Sequence, residues 1–216
     1  MINPTRHIGI FNAQDWPVTL VGAGGIGAIA AVTLAKMGVS ELTLFDFDQV
    51  SDENIATQFY RRFDVEKPKT TALSAILSEF ADTRLRAYSV PFVEDTHPDR
   101  FSNPIIISAV DSIASRKRIW EAVSYEEFLW YLDARMGAEV FQLYAVSGAD
   151  YDWYDQMLGE QDDSQVEDLP CTSKATIFCG ALGAAHLGSA VRKIITGLPL
   201  PRLLSQDLLS NTLMVQ

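Results

Sequence analysis

The chain has 216 residues, of which 48% are hydrophobic, a composition that suits one α/β domain with a full core. Its formal net charge of −11 argues against nucleic acid or an anionic membrane as a partner, because binding to phosphate groups requires a basic face. Residues 1–16 are mixed and polar, so we expect no signal peptide, and the run 175–191 predicts a buried helix and not a membrane span. The cysteines, Cys171 and Cys179, provide no disulfide framework, which indicates a protein of the reducing cytoplasm.

Residues 18–46 carry the strongest pattern in the chain. The run 18–21 is typical of a buried strand, and the small and aliphatic residues 28–37 predict a helix. A second buried strand is predicted over 41–45, and it is followed directly by Asp46. The turn between the first strand and the helix contains four glycines, Gly22, Gly24, Gly25 and Gly27. This order of strand, glycine turn, helix and parallel strand predicts a nucleotide-binding unit.

The spacing of these glycines has a physical reason. Gly22 allows the tight turn, Gly24 lets a phosphate approach the backbone, and Gly27 lets the helix pack closely on the strand. The N-terminus of the helix then presents free N–H groups to an anion. At the tip of the second strand, Asp46 can accept hydrogen bonds from ribose hydroxyls.

The rest of the chain alternates predicted helices and strands. This pattern indicates a Rossmann-like α/β fold, with a mostly parallel sheet, helices on both faces and antiparallel additions near the C-terminal half. Helices are predicted at 68–80, 113–123 and 172–195, and strands at 84–90, 104–110, 128–133 and 138–146. We expect a single domain over 1–216, with an N-terminal arm at 1–16, an acidic crossover loop at 148–170 and a C-terminal tail at 198–216. Within the tail, 207–215 could form an edge strand or a short helix.

Polar side chains that could converge on a polyphosphate follow the second predicted strand, and they are Asn54, Gln58, Arg61 and Lys69. Four such groups exceed what the pyrophosphate of a dinucleotide requires. Asp111 follows the fourth predicted strand and faces the same crevice, because ligands of open α/β sheets bind where the strand order reverses. A carboxylate beside phosphates is repulsive unless a divalent cation lies between them, so the pattern favours Mg-ATP over a dinucleotide.

These motifs resemble those of the ThiF, MoeB and HesA proteins and of the adenylation domains of ubiquitin-activating enzymes. The family's GxGGxG loop matches 22–27, and its Asp-Phe/Leu-Asp-x-Val motif matches 46–50. The elements that follow are similar as well: an Asn and a Gln at Asn54 and Gln58, a Gly-x-Pro-Lys element at 66–69, an Ala-x-Asp-Asn/Ser element with a later Arg at 109–116, and a cysteine before the last long helix at Cys171. The resemblance covers about residues 18–195.

The resemblance implies an ATP-dependent adenylyltransferase that attaches AMP to a carboxylate, usually the C-terminal glycine of a ubiquitin-like protein or a peptide. It implies that Asp46 binds the ribose, that Asp111 binds Mg²⁺, and that the remaining nucleotide contacts come from Asp48, Asn54, Gln58 and Lys69. The substrate carboxylate would attack the α-phosphorus in line, so catalysis is mostly charge neutralisation and alignment. We expect a homodimer or a heterodimer with a related subunit.

The sequence departs from the family pattern in two respects. Thr57 stands where the family has an arginine, and Arg61 or Arg62, about one helical turn further on, is a candidate replacement. A second family arginine often comes from the N-terminal arm of a partner subunit, and Arg6 is the candidate in this chain. The family's CxxC zinc pairs are absent, so we expect no structural zinc.

Other interpretations of the chain remain open. Without a replacement arginine, it could be a non-catalytic partner subunit, and an NAD-dependent oxidoreductase is a further alternative on the same fold. Lys69 could be a solvated helix charge, and Asn54 and Asp111 could each cap the helix that follows.

The cysteines and the aromatic residues of the second half also allow more than one reading. Cys171, close to Lys174 at a predicted helix start, could have a lowered thiol pKa and accept the activated acyl group, or it could be a small buried residue. Cys179 and His186 are predicted to be packed in the last helix. Trp153 and Tyr154, in the predicted acidic loop, are candidates for exposed contacts with a substrate peptide.

Overall fold

A computed structural model describes residues 7, 9–94, 103–124, 128–162 and 175–216. The helices of this part of the chain are α1 (Gly27–Lys36), α2 (Asn54–Thr57), α3 (Lys69–Phe80), α4 (Ile113–Val123), α5 (Tyr151–Gly159) and α6 (Ile177–Ile195). The strands are β1 (Val18–Val21), β2 (Glu41–Phe45), β3 (Arg84–Tyr88), β4 (Ile105–Ser108), β5 (Trp130–Gly137), β6 (Val140–Val146), β7 (Leu203–Asp207) and β8 (Thr212–Val215). No helix of these residues is both long enough and apolar enough to span a bilayer.

The eight strands form one mixed sheet in the order β3-β2-β1-β4-β5-β6-β7-β8. The first five strands of this order are parallel, and the pairs β5-β6, β6-β7 and β7-β8 are antiparallel. The predicted fold class is therefore confirmed, including its antiparallel additions. The strand order reverses between β1 and β4, so the crevice of this sheet lies at their carboxyl ends.

Helices cover both faces of the sheet, and each face has its own hydrophobic cluster. Residues of α1, α3 and α6 pack on one face, and residues of α4 and α5 pack on the other. The sequence of the central strand β4 is continuously apolar because its side chains are buried on both faces of the sheet. Ile105 and Ile107 belong to the first cluster and Ile106 to the second, and all three are fully buried.

The acidic segment contains a helix that the sequence analysis did not predict. Residues 148–170 were expected to form a crossover loop because of their acidic composition, but Tyr151–Gly159 is helical. Tyr154 and Leu158, four residues apart, share the buried face of this helix, while acidic side chains such as Asp152 face solvent. The expectation that Tyr154 is an exposed peptide contact is wrong, since its side chain is fully buried.

Several boundaries in the C-terminal half differ from the predictions. β5 is Trp130–Gly137 where 128–133 was predicted, and β6 begins at Val140 where 138 was predicted. The last long helix begins at Ile177, with Thr176 as its N-cap, and the part of its predicted range before residue 175 lies outside the described residues. The tail forms a hairpin of β7 and β8, so the edge-strand alternative for 207–215 is confirmed and β7 is an addition to it.

Candidate active site

The carboxyl ends of three neighbouring strands bring the predicted nucleotide-binding residues together. The N–H of Gly22 donates to the carbonyl of Phe45 at 2.8 Å, and the N–H of Ala109 donates to the carbonyl of Val21 at 2.8 Å. These two bonds place the glycine turn between Asp46, which follows β2, and the turn 109–111, which follows β4. The glycine turn, Asp46 and the turn 109–111 therefore lie together at the carboxyl edge of the sheet, where the sequence predicts the crevice.

The glycines of the turn are required for two different reasons. At Gly22, which has φ +98°, a Cβ atom would lie 2.6 Å from the carbonyl oxygen of Ala109, and at Gly27 it would lie 1.9 Å from the oxygen of Gly22. Both positions therefore need glycine for backbone packing. At Gly24 a Cβ atom would meet nothing within 4 Å, so this glycine of the turn faces open space. That open face is where a phosphate could approach the backbone.

The N-terminus of α1 is available to an anion. Its N-cap residue, Ile26, makes no side-chain capping bond, and the first turn contains no acidic side chain. The N–H of Ala28 already donates to the carbonyl of Gly24 at 3.0 Å. The other first N–H groups of a helix have no partner within the helix, and they carry the positive end of its dipole. An uncapped N-terminus that opens on the glycine turn is a site of the kind that binds phosphate.

The carboxylate of Asp46 is fixed in place by two backbone donors. Its Oδ2 accepts from the N–H of Ala23 at 2.6 Å, and its Oδ1 accepts from the N–H of Asp48 at 2.8 Å. Burial raises the pKa of Asp46, and this effect outweighs the lowering by the Ala23 bond and by the charge of Lys69. Each carboxylate oxygen accepts one of these bonds and keeps further acceptor capacity, so Asp46 can still receive hydrogen bonds from ribose hydroxyls.

Lys69 lies at the start of α3, with a side chain that is only 8% exposed. Its ammonium group contacts the carboxylate of Asp48 at 2.9 Å, and its backbone N–H donates to the carbonyl of Asp48, also at 2.9 Å. A buried lysine held in this way is not a solvated helix charge. Lys69, Asp48 and Asp46 together form one polar group beside the glycine turn.

Helix α2 places Asn54 and Gln58 at this side of the crevice. Asn54 accepts at Oδ1 from the N–H of Ser51 at 3.0 Å, so it closes the turn before the helix and does not cap the helix itself. The carbonyl of Thr57 lies 3.4 Å from the position that a Cβ atom of Gly25 would occupy. The side-chain Oε1 of Gln58 is buried and has no hydrogen-bond partner among the described residues. This unpaired amide oxygen is suited to a ligand that donates a hydrogen bond.

Arg61 already has two acidic partners. Its guanidinium donates to Asp64 at 2.8 Å and to Glu79, and it also lies over the ring of Phe63. Side-chain bonding to Asp64 raises the pKa of Arg61. The structure therefore offers no direct support for Arg61 as a phosphate ligand, and Arg62, which is exposed, remains the other candidate.

Asp111 is exposed at the end of β4 and is not a helix cap. The N-cap of α4 is Ser112, whose hydroxyl accepts from the N–H of Ser115 at 3.1 Å. The carboxylate of Asp111 is thus exposed to solvent and takes no part in capping α4. No group of three or more His, Cys, Asp or Glu side chains in the described ranges could hold a metal ion. A cation bound by Asp111 would need further ligands from a bound molecule, and Mg²⁺ is commonly held by one or two carboxylates together with substrate phosphates.

The sequence analysis missed a buried network behind the turn 109–111. Arg116 of α4 is 3% exposed and donates to the carboxylate of Asp133 in β5 and to the carbonyl of Val110. The carboxylate of Asp133 also accepts from Arg135 Nε and from the hydroxyl of Tyr154, both at 2.7 Å. Arg116 belongs to a motif that the sequence analysis quoted, so its position was signalled, but nothing in the sequence named its partners.

The remaining predicted residues have simpler environments. Burial raises the pKa of the Cys179 thiol to about 11, and this cysteine is fully buried in α6, as predicted. His186 stacks on Phe141 and lies 2.7 Å from Oε1 of Gln206, which also agrees with a packed histidine. Cys171 and Arg6 lie outside the described residues.

Helix α6 touches the glycine turn directly. A Cβ atom at Gly180 would lie 2.5 Å from the carbonyl oxygen of Gly25. A Cβ atom at Gly188, two turns further along the same helix, would lie 3.1 Å from the side chains of Met37 and Thr33. The first turn of α6 is thus a rigid support for the glycine turn.

The profile described as ThiF family matches residues 9–215. The chain belongs to the ThiF family. Among similar curated proteins, ubiquitin-like modifier-activating enzyme 5 of Drosophila simulans is 28% identical over 134 residues, a match that covers 55% of this chain and 33% of that protein. The protein of the same name from Dictyostelium discoideum is 40% identical over 67 residues, which cover 31% of this chain and 18% of that protein. The chain thus spans a third or less of these relatives.

Solved structures share the fold of this ThiF-family chain at low sequence identity. The crystal structure of PaaA has a TM-score of 0.72 and 18% identity, and the match covers 95% of this chain and 64% of that one. The crystal structure of E. coli MccB with ATP has a TM-score of 0.68 and 16% identity, with the same coverage. At these identities the likeness establishes the fold alone.

Proposed function

We propose that this ThiF-family chain is an ATP-dependent adenylyltransferase, which uses Mg-ATP to attach AMP to the carboxylate of a ubiquitin-like protein or a peptide. The observation that carries the proposal is the carboxylate of Asp111, which is exposed, does not cap α4, and follows the strand next to the open glycine turn. A dinucleotide gives no role to a carboxylate at this position, whereas the phosphates of ATP require a cation there.

The described side chains fit such a ligand. Asp46 keeps acceptor capacity for the ribose, the open face of Gly24 admits a phosphate, and the N-terminus of α1 faces that phosphate. Asp48 holds the ammonium group of Lys69, which would contact a phosphate, and Asn54 and Gln58 would contact the nucleotide from the same side of the glycine turn. Mg²⁺ would supply charge neutralisation between Asp111 and the phosphates. A crystal structure of E. coli MccB, a protein that shares this fold, contains ATP, and this supports the choice of nucleotide.

The reaction needs alignment more than it needs a protein nucleophile. A carboxylate oxygen of the substrate attacks the α-phosphorus. The bond between this phosphorus and the oxygen that bridges the α- and β-phosphates breaks, and pyrophosphate leaves. In this step Asp46 orients the ribose, and the glycine turn and Lys69 stabilise the phosphate charge that shifts toward the leaving group. The thiolate of Cys171 is proposed to attack the acyl carbon of the adenylate afterwards, so that the bond from this carbon to the AMP oxygen breaks, AMP leaves and a thioester forms. This role rests on the family resemblance.

The proposal is tested by nucleotide binding to the purified chain. Titration calorimetry should show binding of ATP with Mg²⁺, much weaker binding of ATP with EDTA, and no binding of NAD⁺. Replacing Asp111 by Ala should remove the Mg²⁺ effect, while Asp152→Ala, which changes an exposed carboxylate on α5, should leave it unchanged. Full Mg²⁺ dependence in the Asp111→Ala variant, or preferred binding of NAD⁺, would refute the proposal.

A second candidate, a non-catalytic partner subunit, is favoured by one observation. Thr57 replaces the family arginine, and the nearby Arg61 is occupied by Asp64 and Glu79. Exchange of labelled pyrophosphate into ATP, in the presence of a ubiquitin-like protein that ends in Gly-Gly, separates the two candidates. Exchange supports the enzyme, whereas Mg-ATP binding without exchange, restored by a related subunit, supports the partner. We propose a dimer in either case, with Arg6 as the candidate for a contact across it.

A further inference from the structure

The buried side chain of Arg116 links three elements of the sheet's carboxyl edge. Its guanidinium donates to the carboxylate of Asp133 and to the carbonyl of Ala134, the latter at 3.2 Å, both in β5. It also donates to the carbonyl of Val110, which directly precedes Asp111. The planar guanidinium has several donors in a fixed geometry, so one side chain can hold both β5 and the turn after β4.

The partner of Arg116 in β5, Asp133, is itself held by further hydrogen bonds. Asp133 is fully buried and also accepts from Arg135 Nε and from the hydroxyl of Tyr154. Burial would raise the pKa of Asp133, but the charges of Arg116 and Arg135 outweigh it and lower that pKa. A carboxylate that stays ionised among three donors gives Arg116 a fixed partner, because breaking the contact would leave a buried charge unpaired.

Val110 connects this network to the crevice, because it lies in the turn that follows β4 and directly precedes Asp111. β4 ends at Ser108, and its ladder pairings end there as well. Ala109 still donates its N–H to Val21 of β1, and the carbonyl of the next residue, Val110, accepts from Arg116. On its other side this turn touches the glycine turn, since a Cβ atom at Gly22 would lie 2.6 Å from the Ala109 oxygen. The Arg116 bond therefore fixes the peptide group between the glycine turn and Asp111.

We propose that Arg116 is a positioning residue, which holds the turn 109–111 so that the carboxylate of Asp111 faces the crevice and binds the cation of Mg-ATP. This inference rests on the proposed function. Arg116 touches neither nucleotide nor metal, and it acts through the Val110 carbonyl. Groups that orient a metal ligand from behind it typically change metal affinity by about 10- to 100-fold when they are replaced.

Arg135 provides a matched control, because it shares the partner Asp133 but makes no contact with the turn 109–111. Arg116→Lys keeps the positive charge beside Asp133, yet one ammonium group cannot reproduce the fork that also reaches Val110 and Ala134. Arg135→Lys makes the same chemical change to the other arginine. Both variants should lower the thermal midpoint to a similar extent, so stability alone does not distinguish them.

Two measurements on the full chain separate positioning from a structural role. In ligand-free protein, amide hydrogen exchange of 109–112 should speed up in Arg116→Lys and stay at the wild-type rate in Arg135→Lys. In ATP titrations at varied Mg²⁺, the half-saturating Mg²⁺ concentration should rise about 10-fold or more in Arg116→Lys. In Arg135→Lys it should stay within about twofold of wild type, and ATP binding in EDTA should be equal in all three proteins.

The outcomes are distinct. If the wild type binds Mg-ATP and the two variants do not differ in exchange or in Mg²⁺ requirement, the inference is wrong and the proposed function stands. If the wild type does not bind Mg-ATP, both the proposed function and the inference fall. Should Arg116→Lys not fold, the double variant Arg116→Met with Asp133→Asn removes one charge of each sign from the network and is judged by the same two measurements, again against Arg135→Lys.

Discussion

Replacing Gly24 by Ala tests whether the open face of the glycine turn is the phosphate site. The added methyl group would meet no atom within 4 Å, and Gly24 does not have a positive φ. The fold should therefore tolerate the change, with a free energy of unfolding within about 0.5 kcal/mol of wild type. A phosphate that approaches the backbone here would be displaced by the methyl group. Loss of one charge-assisted hydrogen bond, about 1.5–3 kcal/mol, corresponds to a roughly 10- to 150-fold weaker ATP affinity.

The matched control for this variant is Gly159→Ala, at the end of α5. A Cβ atom there also meets nothing within 4 Å, but the position lies outside the crevice. Calorimetry with Mg-ATP should show the loss in Gly24→Ala only, and urea unfolding should show that both variants are as stable as wild type. A Gly24→Ala variant that is stable and binds ATP with wild-type affinity would refute the assignment of this face to a phosphate.

Two further predictions concern the supports of the crevice. Gly180→Ala should destabilise the chain by about 1–2 kcal/mol and weaken Mg-ATP binding, because overpacking against the Gly25 carbonyl exceeds the gain of about 1 kcal/mol in helix propensity. Gly188→Ala, whose methyl group would approach two side chains at 3.1 Å but no backbone atom, should be neutral or stabilising in the same urea and binding measurements. Asp133, whose pKa is lowered, should stay ionised when exposed carboxylates become protonated. The stability from its ion pairs is therefore present above the ordinary aspartate pKa of about 3.9 and is lost as the pH falls through the lowered value. Carboxyl-carbon NMR titration checks this, and an ordinary titration of Asp133 would contradict it.

Much of the fold and the crevice could be predicted because their signals are local in sequence. The β1-α1-β2 unit is specified within 29 consecutive residues, 18–46, by an apolar run, a glycine spacing and a terminal acid. The rule that parallel strands end at one edge then places Asp46 and Asp111 at the same crevice, although they are far apart in the chain. Short buried runs such as β4 needed no knowledge of their neighbours.

The features that could not be predicted depend on contacts between residues that are distant in sequence, or on a buried helix face that contains few apolar residues. Arg116 and Asp133 are 17 residues apart, and only the folded sheet brings them together. Arg61 was predicted to be a phosphate ligand because it follows β2 in the same segment as Asn54 and Gln58, and the sequence could not show its pairing with Glu79 of α3. In α5 the abundance of acidic residues concealed the two apolar positions, Tyr154 and Leu158, that bury its inner face.

The charge balance of the crevice bears on where the cations that neutralise a triphosphate would come from. Among the described residues at the glycine turn, Lys69 is offset by Asp48, while Asp46 and Asp111 add further negative charge. Arg61 is offset by Asp64 and Glu79 and adds no free positive charge there. A polyanion would be repelled by such a site unless it brought its own cation. On the proposed function, this balance calls for Mg²⁺ and leaves room for an additional arginine, which is the role that the family resemblance gives to the arm of a partner subunit.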